Sequence, residues 1–307
     1  MILMKGLTAM LKTSPEACVS MPWVQCRDGI FEVDEFDCAS CFLVEGTERA
    51  LLIDTGVGIG DLKWLVENRI TDKPYDVVVT HNHGDHIGGA GWFDTIRIHP
   101  ADADWKEGHA APTVSFRREY AELIRNREGK DYAYDPQKDI RPWPKEPEIL
   151  SVSDGQKFYL GGRTVTAYHC PGHTAGEIVL ADDLTKTLLC GDACNCNWLL
   201  CADLAPTLRG CAEKALAGLE RILNMAGNTF DIGSVFNFHH DFRPFGQPLA
   251  PNVLPDLVSC LKSVLDGTAK YESVPDPLSS DGKSRTIARY GSVMVSCMQG
   301  SIAEAGR

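Results

Sequence analysis

Six consecutive positions, His81-Asn82-His83-Gly84-Asp85-His86, hold three imidazoles and one carboxylate. Neutral imidazole nitrogens and carboxylate oxygens are the donors taken by Zn2+ or a similar first-row ion. The preceding run, Tyr75-Asp76-Val77-Val78-Val79-Thr80, reads as a buried strand. Side chains two apart near a strand end point the same way, so His81 and His83 are expected to grip one cation together. Asp85 and His86 come after the turn at Gly84 and face differently, which suits a second, adjacent cation. Burying several imidazoles without a metal costs desolvation with little return, which argues against a purely structural cluster.

Three later segments have the same form. Thr164–His169 leads into Cys170-Pro171-Gly172-His173-Thr174-Ala175-Gly176, Thr187–Cys190 into Gly191-Asp192-Ala193, and Ser234–Phe238 into His239-His240-Asp241. Each candidate ligand stands just after an apolar run, as a site along one rim of a sheet requires. Glycine beside His173 and Asp192 lets the backbone turn tightly there. His169 is expected to support its turn or to pack; His99 and His109 carry no spacing signal.

The elements that must position these residues are strands in clusters with helices between them. Further apolar runs are Cys41–Val44, Ala50–Asp54, Val77–Thr80, Thr95–His99, Lys157–Leu160, Glu177–Ala181, Ser284–Tyr290 and Ser292–Cys297. Helical spacing is seen at Asp61–Asn68, Val114–Arg127, Val253–Leu265 and most clearly at Pro206–Met225, where Leu208, Cys211, Ala215, Leu219 and Ile222 recur. The pattern predicts an α/β fold, in one domain spanning residues 1–307. The charged and aromatic stretch Pro100–Pro147 reads as a partly helical insertion over the site, with a solvated surface excursion as the alternative. A C-terminal extension of a helix and two strands is expected at about residues 251–297.

The chain has 307 residues, 44% of them hydrophobic and 23% charged, long enough for a sizeable core. A net charge of −12 argues against binding to nucleic acid or to an anionic membrane, and leaves a small-molecule substrate as the expected partner. The sequence leaves homo-oligomerisation open. Met1–Lys12 has no long apolar core, so no secretory signal is read, and no stretch approaches a membrane span. The twelve cysteines fall in strand and helix patterns, which predicts reduced, mostly buried thiols and a cytoplasmic location. Cys38-Ala39-Ser40-Cys41 has redox-pair spacing but is expected to pack in the core. Cys190, Cys194, Cys196 and Cys201 crowd Asp192 closely enough to line a site, with packing as the alternative.

Four motifs in this order resemble the metallo-β-lactamase superfamily, from Cys38 to Asp241 at least. The resemblance implies a four-layer αβ/βα sandwich with a dinuclear metal site at its edge. It assigns His81, His83 and His173 to a first metal, Asp85, His86 and a late histidine to a second, and Asp192 as the bridging carboxylate. The strand Val235-Phe236-Asn237-Phe238 favours His239 as the late histidine, with His240 the alternative. Asp54, in Leu51-Leu52-Ile53-Asp54-Thr55-Gly56, matches the family's acidic residue beneath the metal loop. It would hold that loop by accepting a hydrogen bond from its backbone or from a ligand imidazole, the competing reading being a strand-end turn aspartate.

Two divalent ions about 3.5–4 Å apart lower the pKa of a bridging water and supply hydroxide near neutral pH. One polarises the substrate carbonyl, and Asp85 orients the hydroxide or accepts a proton. The expected reaction is hydrolysis of a small ester, thioester or lactone, with Zn2+ as the leading metal and Fe or Mn as alternatives. Asp192 resembles the glyoxalase II-like and lactonase branches and argues against a lactam. The strand-containing tail points away from the glutathione thioester itself. An iron-dependent persulfide dioxygenase and a non-catalytic binding module are the readings from other classes.

Overall fold

Asp28-Gly29, with Gly29 at φ +60°, turns the chain between β1 (Trp23–Arg27) and β2 (Ile30–Asp34) and opens the first sheet. In this computed structural model residues 21–105, 111–240, 242–276 and 283–306 are described. His109, Asp241 and the segment Met1–Lys12 lie outside the described residues. The chain forms two compact units. The first comprises Met1–Ile98, Ala103–Ser151 and Phe158–Thr164, and the second His99–Asp102, Val152–Lys157 and Val165–Arg307.

In the first unit β3 (Ser40–Glu45), β4 (Ala50–Ile53), β5 (Tyr75–Val78), β6 (Thr95–Ile98) and β7 (Glu148–Ser151) continue the sheet in sequence order. Pairing is antiparallel from β1 to β4 and parallel from β4 to β7. All of β4 and nearly all of β3 are buried, as the continuous apolar runs Cys41–Val44 and Ala50–Ile53 require. Parallel strands put their C-terminal ends on one rim, and the residues after β4 and β5 are Asp54 and the histidine motif.

The helices of this unit are α1 (Leu62–Leu65), α2 (Gly84–Ile87), α3 (Val114–Glu128) and α4 (Pro136–Asp139). The helix expected over Asp61–Asn68 is four residues of α-helix followed by a π turn, Val66–Ile70. The Pro100–Pro147 stretch contributes α3 and α4, and α3 packs against α2. Cys38 and Cys41 are buried in the apolar cluster of this unit.

Most of the second unit follows β8 (Lys157–Tyr159), from Val165 onward. Its first sheet pairs β9 (Thr164–His169), β10 (Ile178–Asp182), β11 (Thr187–Leu189) and β13 (Val235–Phe236), with β12 (Asn197–Leu200) leaving to a second sheet. β10 runs antiparallel to both β9 and β11, while β13 runs parallel to β11. The C-terminal ends of β9, β11 and β13 therefore share one rim.

The helices α5 (Leu208–Asn228) and α6 (Val253–Leu265) pack together, and α5 buries Cys211, Ala215, Leu219 and Ile222, the periodicity read from the sequence. After α6 come three strands rather than two: β14 (Tyr271–Pro275), β15 (Ser284–Tyr290) and β16 (Val293–Cys297). They form a sheet with β12 in the order β12-β16-β15-β14. No described helix is long and apolar enough to cross a membrane.

Asp256 of α6 fastens the β15–β16 turn. Its Oδ2 accepts Ser292 N–H, Ser292 O–H and Asn252 Nδ2–H at 2.9, 2.9 and 2.8 Å. Burial pushes its carboxyl up, but these bonds outweigh burial and hold it below the usual carboxylate value of 3.8. A depressed native pKa gives stability that is present above pH 3.8 and lost as pH falls through the native value. Asp256→Asn is expected to cost about 1 kcal/mol at neutral pH, a cost that shrinks at a pH below 3.8. Urea unfolding of both proteins at the two pH values measures the difference.

Candidate metal centre

Asp54 stands one residue past β4 with φ +62°, a left-handed conformation uncommon outside glycine, asparagine and aspartate. Its backbone N–H donates to Val78 C=O at 2.9 Å, seating the carboxylate under the chain leaving β5. Oδ1 accepts Thr80 N–H at 2.6 Å, and Oδ2 accepts the Thr80 hydroxyl at 2.7 Å. Oδ2 also lies 2.8 Å from His86 Nδ1. A carboxylate only accepts, so His86 carries its proton on Nδ1 and its lone pair on Nε2.

The Thr80 hydroxyl proton is committed to Asp54, so its oxygen accepts from His81 Nδ1 at 3.0 Å. That leaves Nε2 as the lone-pair nitrogen of His81 too. One aspartate thus fixes the tautomers of two imidazoles, directly and through a hydroxyl. Burial pushes the Asp54 carboxyl up, and the hydrogen bonds from His86 and Thr80 pull it down.

His81 and His83 do come together, their ring centroids 4.7 Å apart at 78°. The cause differs from strand alternation. β5 ends at Val78, and a bend over Thr80 and His81 carries the two rings toward each other. His86 lies with its ring centroid 4.1 Å from that of His81. Asp85 Oδ2 is 3.7 Å from His86 Nε2. Helix α2 is only four residues long; His86 and Ile87 N–H both donate to His83 C=O, which folds Asp85 and His86 back beside the first two histidines.

In the second unit the β11–β13 register pairs Leu189 with Phe236. Asp192 and His239 lie at the same offset beyond these partners, and His239 Nε2 is 3.4 Å from Asp192 Oδ2. The same oxygen is 3.5 Å from His173 Nε2. His173 Nδ1 donates to Leu199 C=O at 3.1 Å, so its Nε2 also carries the lone pair. A carboxylate oxygen with the lone-pair nitrogen of His173 and Nε2 of His239 beside it is a donor set that fits a divalent ion. The ring of His240 instead lies against Phe245, with centroids 5.7 Å apart.

Several supports carried no clear sequence signal. Glu177, fully buried, accepts Asp192 N–H on Oε1 at 2.7 Å. Its only mark is an acid at the start of a buried apolar run. Asp102 accepts the Thr174 hydroxyl at 2.6 Å and Gly176 N–H at 2.7 Å, bracing the turn that presents His173. A Cβ on Gly176 would sit 2.7 Å from the Asp102 carboxyl carbon, so this position must be glycine. His169 supports the same turn through Ala175 C=O at 2.9 Å and stacks on His99, with centroids 4.1 Å apart.

Cys190, Cys194 and Cys196 belong to the apolar core with Trp198 and Leu219, and burial pushes all three thiols up, Cys196 to about 11. They pack. None of the eleven cysteines among the described residues is in a disulfide.

A family model for the metallo-beta-lactamase superfamily matches residues 37–194. The acyl-coenzyme A thioesterase MBLAC2 of Homo sapiens is 30% identical over 239 residues, covering 66% of this chain and 84% of that protein. A hydroxyacylglutathione hydrolase of Edwardsiella ictaluri is 24% identical over 215 residues, covering 69% of this chain and 65% of its own length. Among solved structures, a metallo-beta-lactamase from Pontibacter korlensis superposes with a TM-score of 0.52 at 16% identity, covering 79% of this chain and 99% of that one.

Proposed function

The chain belongs to the metallo-beta-lactamase superfamily, and from that premise we propose that it hydrolyses thioesters of the acyl-coenzyme A type with two divalent metal ions. It is a hydrolase of this family with His/Asp clusters suited to metal; the thioester substrate and the second ion are the finer reading. His81, His83 and His173 would hold one ion, Asp85, His86 and His239 the other, and Asp192 both. The observation that carries this reading is Asp192 Oδ2 with His173 Nε2 and His239 Nε2 at 3.5 and 3.4 Å. The thioester class comes from the activity named for the human relative.

When bound, two such ions supply hydroxide near neutral pH and withdraw charge from the scissile carbonyl. The protein's share is to hold donors still and to move a proton. Asp54 keeps Nδ1 of His86 protonated, so the ring presents one nitrogen in one orientation. Leu199 C=O does the same for His173. Asp85, beside His86, is the carboxylate placed to take the proton that water gives up on attack. The thiolate leaves with no need of a strong acid, because a thiol's pKa of about 8.5 makes it a good leaving group near neutral pH.

Hydrolysis is favoured over persulfide dioxygenation because the relatives quoted are a thioesterase and a hydrolase. A short- and a long-chain acyl-coenzyme A, a lactone and a persulfide, offered to the same preparation, separate the readings. Thiol release from the acyl-coenzyme A esters, lost on chelation and restored by Zn2+, Fe2+ or Mn2+, is expected. Oxygen consumption with the persulfide and no thiol release would overturn it.

A further inference from the structure

The loop Thr55-Gly56-Val57-Gly58-Ile59, directly after Asp54, is gripped from both sides by charged groups that contact no candidate ligand. Glu35, buried at the tip of the β2–β3 turn, accepts Val57 N–H on Oε2 and Gly58 and Ile59 N–H on Oε1, the latter two at 2.9 and 2.7 Å. Arg117, buried on α3, donates from Nη1 to Val57 C=O at 3.2 Å and to Gly88 C=O at 3.0 Å. Gly88 caps α2, the short helix that carries Asp85 and His86. Trp143 Nε1 donates to that same Gly88 oxygen at 2.7 Å.

Two glycines make room for the grip. A Cβ on Gly56 would fall 2.2 Å from Glu35 Oε2, and one on Gly58 would fall 2.8 Å from Arg117 Nη1 and 2.7 Å from Gly88 C=O. Both have positive φ, +65° and +84°. The turn that aims Glu35 is strained as well, with Phe36 and Asp37 at φ 56° and 64°. It is held by side chains of the Pro100–Pro147 insertion. Tyr120 O–H donates to Cys38 C=O at 3.2 Å, Lys130 Nζ donates to Asp37 at 2.7 Å, Tyr132 O–H donates to Asp37, and the Phe36 ring lies 4.8 Å from that of Tyr134.

Burial pushes the Glu35 carboxyl up to about 8, while the three N–H groups and the Arg117 guanidinium hold it down. Strained backbone, two buried side chains that bond the loop's N–H and C=O groups, and two glycines with no room for a Cβ meet on the five residues between Asp54 and the end of the loop. Ordinary loop stability does not need so much; a fixed position for Asp54 does.

We propose that Arg117, with Glu35 and Trp143, forms a positioning clamp that sets Asp54 and α2 and so tunes the metal affinity of the Asp85/His86 side of the centre. This rests on the metal-centre reading above. The ordering role of the insertion is thereby to fasten α2 from its C-terminal end.

The test is titration of metal-free protein with Co2+, followed by absorption spectroscopy, in wild type, Arg117→Met, Arg117→Lys, Trp143→Phe and Glu35→Ala, with the melting temperature of each metal-free protein alongside. Wild type is expected to take up two ions. Arg117→Met should keep the first and bind the second about 10- to 100-fold more weakly, with an altered spectrum. Arg117→Lys, which keeps one donor for the two carbonyls, should recover most of that loss, and Trp143→Phe should show a smaller loss of the same kind. On a thioester substrate kcat should fall with KM little changed.

Glu35→Ala leaves three buried N–H groups bare, so the arginine and tryptophan variants carry the test if it does not fold. Unchanged Co2+ binding in Arg117→Met, or equal weakening of both ions in step with a lower melting temperature and no rescue by lysine, would overturn the clamp. A wild type that binds no ion overturns the metal-centre reading and the clamp with it.

Discussion

Asp192→Ala is expected to abolish thioester hydrolysis and to lower the metal content from two ions toward one. Its Oδ2 stands between His173 Nε2 and His239 Nε2, and its backbone N–H is pinned by Glu177. Removing the carboxylate takes away the anion proposed to be shared by the two cations, while the imidazoles stay in place. A metal-assisted step gains several kcal/mol from such a centre, so the rate should drop by about three orders of magnitude or more. Asp192→Asn keeps the volume and hydrogen-bonding shape and should fail nearly as badly, because charge rather than shape is lost. Retained metal and a rate within about tenfold of wild type would remove Asp192 from the bridging position.

Asp54→Asn is the second large effect. Asparagine tolerates the left-handed backbone at φ +62°, so folding should survive. The carboxylate accepts three donors, Thr80 N–H, Thr80 O–H and His86 Nδ1–H. An amide has one acceptor oxygen: with that oxygen on Thr80 N–H, its NH2 group faces both the Thr80 hydroxyl and the imidazole, and flipped it faces Thr80 N–H, donor against donor. Facing His86, it selects the tautomer with the proton on Nε2, the nitrogen meant for metal. Metal affinity should fall about 10- to 100-fold, or about 1.4–2.7 kcal/mol. Chelator competition on the folded variant gives the number. An affinity equal to wild type would return Asp54 to the role of a turn residue.

Much of this was legible because the fold puts ligands at strand ends and strands in continuous apolar runs. β3, β4, β10 and β11 are buried on both faces and stand out, and α5 and α6 have clean helical periodicity. The strands that escaped notice lack that pattern for physical reasons. β2 buries Glu32, whose Oε1 accepts the Ser40 hydroxyl at 2.7 Å, so its interior face is not apolar. β7 and β14 are edge strands, mostly exposed and polar, and β1 is a half-exposed hairpin arm.

β12 lies in the cysteine-rich stretch, where its four residues, Asn197–Leu200, give too short a run to recognise. Its consequence is large, since Leu199 C=O orients His173, and β12 is itself held by the parallel pairing of Leu200 with Cys297 on β16. The C-terminal strands therefore reach a candidate metal ligand through one carbonyl. No local sequence signal can reveal that. The same holds for Arg117, an ordinary helix arginine in the sequence that the fold buries against two loop carbonyls.

The most direct measurement is an anomalous difference map from crystals of protein purified without chelator, with data collected on both sides of the zinc, iron and manganese edges. Two peaks about 3.5–4 Å apart are expected, one touching His81, His83 and His173, the other Asp85, His86 and His239, with Asp192 on both. A map without a peak at these side chains, or with peaks on surface residues alone, contradicts a paired-ion centre.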